Sequence, residues 1–166
     1  STHVPVGLAV LDAGLPVVID KPVAPTVAAA CQLRDAAAKR NLLVSVYHNR
    51  RWDGDARTLR TLLADGTLGT VHRFESRYER WRPHVDTTAW RERANAEAAG
   101  GLLYDLGSHL IDQALVLFGP VVSVYAELGK VRAGAQVDDD VFLPLTHTGG
   151  VRSHLWASAV AADLGP

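Results

Sequence analysis

The chain has 166 residues, 48% of them hydrophobic, and a formal net charge of −1 at pH 7. This is enough apolar material for a sizeable core, and the near-neutral charge argues against a nucleic acid or a membrane as partner. The single cysteine, Cys31, cannot form an internal disulfide, and no membrane span or signal peptide is evident, which favours the cytosol.

The first part of the chain alternates between helical patterns and short runs of β-branched residues. Strand, helix and strand in this rhythm predict a βαβ unit and therefore a parallel sheet. Ligands of such sheets bind beyond the carboxyl ends of the strands. The predicted elements are a helix over Pro5–Ala13, a strand over Pro16–Asp20, a helix from Thr26 to about Arg40, a strand over Leu42–Tyr47 and a helix over Asp53–Asp65.

Polar side chains follow each of the two predicted strands. Lys21 ends the first strand, and its ammonium could polarise a substrate hydroxyl or attract a phosphate. Asn49 to Trp52 follow the second strand and could bind the phosphates or ribose of a cofactor, or stack on a ring. A solvated lysine beside a turn proline, and a surface loop with one packed tryptophan, are the simpler alternatives.

Beyond Gly69 the pattern changes to that of an α+β region. Residues 71–81 alternate as a strand with two different faces, and residues 83–99 are polar and irregular, with Trp90 as the expected anchor. Three further strands are predicted over 121–128, 141–146 and 151–160, joined by glycine-bearing or acidic turns. Their succession predicts an antiparallel sheet, and the division between the two parts is placed at Gly69.

The segment from Gly100 to Gln113 predicts a Gly-Gly turn running into a helix. Asp105 and His109 are four residues apart and share one face of that helix. A carboxylate held beside an imidazole suits proton transfer. An ordinary surface pair, or a metal site completed by Asp112, are alternatives.

Other clusters give weaker signals. Asp138-Asp139-Asp140 lacks the glycine and the distal glutamate of a calcium loop, so an acidic turn is the preferred interpretation. The histidines other than His109 show no metal-type pairing and are interpreted as ordinary side chains; they are His3, His48, His72, His84, His147 and His154.

Three segments, taken in order, resemble the Gfo/Idh/MocA family of nicotinamide-dependent oxidoreductases. They are His3 to Pro22, with Asp20-Lys21-Pro22 in place of Glu-Lys-Pro; His48 to Asp53 with Gly66–Gly69; and Gly100 to Asp112, which is similar to an Asp-x-Gly-x-His helix. The resemblance implies a fold of the α/β plus α+β class. It comprises a partial Rossmann parallel sheet over residues 1–69, followed by a helix and a mostly antiparallel, truncated sheet over residues 70–166.

The resemblance also implies hydride transfer between NAD or NADP and a sugar- or polyol-type substrate. Lys21, Asp105 and His109 would be catalytic, with His109 as the general base and Lys21 bonded to the reacting oxygen. The implied cofactor-binding residues are Asp20, Lys21, Pro22, Arg51 and Trp52. The implied substrate-binding residues are Asn49, Trp90, Arg91, Asp105 and His109.

The chain departs from the family pattern because it contains no G-x-G-x-x-G. Without that turn, a pyrophosphate lacks the helix N-terminus that normally binds it. We therefore expect a fragment that binds the cofactor poorly. The alternative is a non-catalytic remnant that forms a homodimer, or a larger homo-oligomer, through its antiparallel sheet.

Overall fold

The computed structural model describes residues 2–94 and 99–162. Its first unit contains α1 (His3–Asp12), β1 (Val17–Asp20), α2 (Val27–Lys39) and β2 (Val44–Tyr47). Strands β1 and β2 pair in parallel, which confirms the predicted βαβ unit. Within the described ranges, no helix has the length and apolarity needed to cross a membrane.

Local sequence explains the packing of this unit. The Thr26 hydroxyl accepts a hydrogen bond from the Ala29 amide at 3.2 Å and caps α2, as predicted. Gly7 lets α1 approach closely, because a Cβ there would lie 2.7 Å from Leu33 and 2.8 Å from Ile19. The buried core of the unit comprises Leu11, Ile19, Leu33 and Ala37.

The second unit is a helix packed on a five-stranded sheet. A 3₁₀ turn and α3 lead into it, and a second 3₁₀ turn and a π-helical turn precede its main helix. In chain order these elements are the 3₁₀ turn Asn49–Trp52, α3 (Gly54–Ala64), β3 (Arg73–Glu79), the 3₁₀ turn Trp90–Glu92, the π-helical turn Leu103–Gly107, α4 (Ser108–Phe118), β4 (Val121–Val124), β5 (Glu127–Gly129), β6 (Asp140–His147) and β7 (Arg152–Ser158).

The sheet is mostly antiparallel, as predicted, with two differences in detail. Its order is β3-β7-β6-β4, with β5 also paired to β6. Strands β3 and β7 are parallel, which is possible because the long connection between them contains α4. The strand predicted over residues 121–128 is two strands, and both pair with β6.

Helix α4 covers one face of this sheet. Leu106, Leu110 and Ala114 pack against residues of β6 and β7 such as Leu143 and Leu155, all of them buried. The contacts with the sheet thus lie on one apolar face of this segment.

One smaller expectation differs from the structure. Trp90 is 42% exposed and is therefore no buried anchor for its loop. The loop predicted over residues 83–99 includes residues 95–98, which lie outside the described residues, as do Ser1 and residues 163–166.

Candidate active site

Lys21 connects the two units through its side chain. Its Nζ donates to Asp105 Oδ1 at 2.9 Å and also to the Asp105 backbone carbonyl. Both side chains are largely buried, although the residues are 84 positions apart in sequence. The structure therefore brings together the amine and the carboxylate that the sequence analysis selected.

The loop that carries Lys21 is held from two sides. His3 Nδ1 donates to the Pro22 carbonyl at 2.8 Å. The Tyr104 hydroxyl, from the segment that carries Asp105, donates to the Pro25 carbonyl at 2.8 Å. The position of Lys21 is thus tied both to α1 and to the second unit.

Asp105 does not lie in the regular α-helix that was predicted. It lies in the π-helical turn Leu103–Gly107, and α4 begins only at Ser108. Asp138 caps the start of this segment, because its backbone carbonyl accepts from the amide of residue 102 and its carboxylate accepts from the amide of residue 103 at 2.7 Å. π-helical turns are frequent at functional sites.

His109 is a buried imidazole next to this turn. It is 6% exposed, its ring meets the Tyr78 ring edge-on at 6.4 Å, and its Nδ1 has no hydrogen-bond partner. Burial, followed by the positive charges of Lys21 and Arg50, lowers the pKa of His109 to about 4, while Asp105 opposes the shift. The ring is therefore neutral at pH 7 and able to accept a proton.

The negative charge of Asp105 acts to raise the pKa of His109, and two cations contact the Asp105 carboxylate. The Asp105 carboxylate contacts Lys21 through Oδ1 and lies 3.3 Å from Arg91 Nε through Oδ2. Arg91 in turn lies over the Trp90 ring, with 5.2 Å to its centroid. Arg91 thus reaches the site, whereas Trp90 lies at its exposed edge.

The loop after β2 supplies a second set of contacts. Arg51 binds Asp112 with two hydrogen bonds, of 2.7 and 2.6 Å, and these raise the pKa of Arg51. His48 Nε2 lies 3.7 Å from Asp112, and burial lowers the pKa of His48 although Asp112 opposes this. The interpretation of His48 as an ordinary side chain missed this proximity. His48 directly follows β2, at the edge of the parallel sheet where ligands bind, and this position could have indicated its proximity to Asp112.

The metal alternative finds no support in the donor set. Asp105 is engaged by Lys21 and Arg91, and Asp112 by Arg51. No group of three potential ligands comes together in the part of the chain that the structure describes.

Several buried side-chain nitrogens near Asp105 and His109 make no hydrogen bond within the described part of the chain. Among the described residues, these nitrogens belong to His48, Arg50 and His109. Arg91 Nε also makes no hydrogen bond, but it is ion-paired with Asp105 Oδ2 at 3.3 Å. Buried polar groups are normally satisfied, so a polar ligand is the natural partner for these atoms. Trp52, 69% exposed beside them, offers a ring face, while the Asp20 carboxylate accepts from the Lys21 amide. These residues fit a nicotinamide and a hydroxyl-bearing substrate.

The partial parallel sheet and the mostly antiparallel sheet that follows it have the architecture implied by the resemblance found in the sequence. The chain belongs to the Gfo/Idh/MocA family, since residues 1–48 match its NAD-binding Rossmann-fold oxidoreductase model and residues 56–164 match its C-terminal domain model. The family membership and fold class predicted from the sequence are thereby confirmed. The division at Gly69 stays a prediction.

Several oxidoreductases are similar to this chain in sequence or in structure. The chain is 38% identical over 159 residues to scyllo-inositol 2-dehydrogenase (NADP(+)) IolW of Bacillus subtilis, covering 96% of this chain and 43% of that protein. It is 46% identical over 138 residues to the uncharacterized oxidoreductase YdgJ of Escherichia coli, covering 83% and 39%. The structure of yvaA from Bacillus subtilis has a TM-score of 0.92 at 37% identity and covers 99% of this chain and 46% of that one. The chain thus spans less than half the length of these relatives.

Proposed function

We propose that this chain carries the catalytic centre of an NAD(P)-dependent oxidoreductase that acts on a hydroxyl or carbonyl group of a sugar- or polyol-type substrate. The observation that supports it best is the contact between Lys21 and Asp105, made across the two units beside His109. The name of IolW, an inositol dehydrogenase, and that of D-apiose dehydrogenase, 30% identical over 163 residues, support the substrate class. A cytosolic location is part of the proposal.

Each residue has a defined task in this reaction. Neutral His109 accepts the hydroxyl proton during oxidation and returns it during reduction. Lys21 donates a hydrogen bond to the reacting oxygen, and Asp105 fixes both Lys21 and the substrate. When bound, the nicotinamide accepts or gives the hydride. The residues proposed along the cofactor are Asp20, Lys21, Pro22, Arg51 and Trp52, and those proposed at the substrate are Asn49, Trp90, Arg91, Asp105 and His109.

The 166-residue chain by itself is expected to bind NADH and NADPH weakly, with a Kd above about 1 mM. The reason is that its sequence has no glycine-rich turn to hold the pyrophosphate. Fluorescence titration with each nucleotide measures this directly. Saturation in the micromolar range would show that the prediction of impaired binding is wrong.

A hybrid enzyme tests the function itself. In it, this chain replaces the matching 159-residue segment of IolW, so that the rest of that enzyme supplies the remaining parts. We expect the hybrid to oxidise scyllo-inositol with NADP⁺, and His109→Gln to lower kcat by about 10²- to 10⁴-fold. The exposed His72→Gln is the matched control and should retain full activity. A hybrid that folds and binds NADPH but shows no turnover would contradict the proposal.

Homodimerisation through the sheet is a second proposed property. On the face of the sheet opposite α4, the Arg77 guanidinium lies 4.0 Å from the centroid of the Trp156 ring, which stacks on Phe142 at 5.0 Å. These half-buried aromatic side chains, with an arginine over them, have the composition typical of protein interfaces.

Sedimentation analysis tests this property. The chain is expected to sediment as a dimer, and Trp156→Lys to shift it to a monomer because a charge then replaces the ring at the centre of the face. Val27→Lys, at a residue of α2 that is 81% exposed, is the control and should leave the mass unchanged. A monomeric parent chain at concentrations of about 100 μM would exclude this interface as a stable one.

A further inference from the structure

A buried arginine lies between the 3₁₀ turn after β3 and the start of β6. Arg132 is 7% exposed and donates through Nε to Asp139 at 2.9 Å and through Nη2 to Glu92 at 2.8 Å. Its Nη1 lies 3.4 Å from two backbone carbonyls of the loop that follows β3. The Arg132 side chain thus connects the loop after β3 to Asp139, the residue directly before β6.

The charges of this network are compensated. Burial acts to lower the pKa of Arg132, but the hydrogen bonds to Glu92 and Asp139 outweigh it, so the pKa is raised and the guanidinium stays charged. Asp139 is fully buried and also accepts from the Val131 amide at 2.7 Å. Buried ion pairs add little net stability compared with apolar residues, so a role in placement accounts better for this one.

The network connects directly to Asp105. Glu92 adjoins Arg91, whose carbonyl accepts from the Gly101 amide at 2.8 Å and whose Nε lies 3.3 Å from Asp105 Oδ2. The Gly101 backbone has φ +98° and starts the segment that carries Asp105. When Glu92 is held in place, the neighbouring Arg91 guanidinium is held near Asp105. The Gly101 amide, at the start of the segment that contains Asp105, is held as well through the Arg91 carbonyl.

We propose that Glu92 and Arg132 are positioning residues that hold the Arg91 guanidinium against the Asp105 carboxylate. This rests on the proposed function, because it assigns these residues to the same catalytic centre. Asp105 is then held between two cations, Lys21 on Oδ1 and Arg91 on Oδ2, with its orientation set from both sides.

The pKa of His109 depends on the charges in this arrangement and can therefore be used to detect a change in it. The groups that face its ring are Lys21, His48 and Arg50 from the first unit and the segment after it, Asp105 from the preceding turn, and the Tyr78 ring from β3. If Arg91 moves away, the negative charge of Asp105 is less compensated and the pKa of His109 rises. Loss of the Glu92 charge by itself has the opposite sign, since removing a negative charge lowers the pKa of an imidazole.

NMR titration of the His109 ring in the 166-residue chain provides the test. Glu92→Ala is expected to raise the His109 midpoint by at least about 0.3 pH unit, and Arg91→Met by a similar amount. The double variant should show no more than the larger single shift, because both changes remove the same contact. Asp12→Asn breaks the exposed Arg40–Asp12 ion pair and is the control, expected to cause no shift.

A downward or absent shift in Glu92→Ala, or additive shifts in the double variant, would overturn the proposal. Should Glu92→Ala fail to fold, Glu92→Gln replaces it, because the amide oxygen still accepts from Arg132. This variant is expected to show less than half the shift of Arg91→Met, and an equal or larger shift would contradict the proposal. The titration needs neither cofactor nor polyol, so failure of the proposed function would appear in the hybrid enzyme without altering this result.

Discussion

Acidification from pH 6.5 to pH 4 is expected to lower the free energy of unfolding of this chain, and His109→Gln to remove about 3 kcal/mol of that loss. The pKa of His109 is about 4 in the folded chain and 6.5 as its ordinary value. In this window the unfolded chain binds more protons, so stability is fully present above pH 6.5 and decreases as the pH falls toward 4. Urea denaturation at half-unit pH intervals measures the slope.

The measured pH dependence of stability must be assigned to His109 separately from the other histidines. His48 also has a lowered pKa and adds to the slope in the same direction, so the informative quantity is the difference between the parent chain and the His109→Gln variant. His72→Gln, at an exposed residue, is the control and should keep the parent slope. An unchanged slope in His109→Gln would show that the ring is solvated and charged in the folded chain.

Leu110→Ala is expected to cost roughly 2–5 kcal/mol of stability, because the residue is 1% exposed at the centre of the interface between α4 and the sheet. The truncation removes buried methyl groups and leaves a cavity that the surrounding β6 and β7 side chains fill only in part. Denaturation by urea at pH 7, with the midpoint and slope fitted together, gives the change.

The same helix provides the matched control. Leu115 is 41% exposed, so Leu115→Ala, which has the same change in chemistry and helix propensity, is expected to cost less than about 1 kcal/mol. Equal losses in the two variants would mean that the face of α4 assigned to the core is wrong.

The predicted elements and the structure agree where the pattern is local. The β-branched runs at β1 and β2 and the cap at Thr26 all lie within one or two residues of their predicted places, since each depends on neighbours in sequence. The single strand predicted over residues 121–128 failed because its break depends on how two short strands pair with β6. The segment at Asp105, predicted as a regular helix, is a π-helical turn whose first amides are bound by Asp138, which is distant in sequence.

The sequence by itself determined the βαβ unit, the mostly antiparallel sheet and the family. The resemblance selected Lys21, Asp105 and His109, whose roles stay a prediction. Periodicity, turn residues and ordered motifs carry that information within short windows of the chain. Only the tertiary structure decided that Asp105 lies between Lys21 and Arg91, that His48 lies near Asp112, and that Arg132 fastens the loop behind them. These contacts join residues far apart in sequence, and which charges meet depends on how the two units pack.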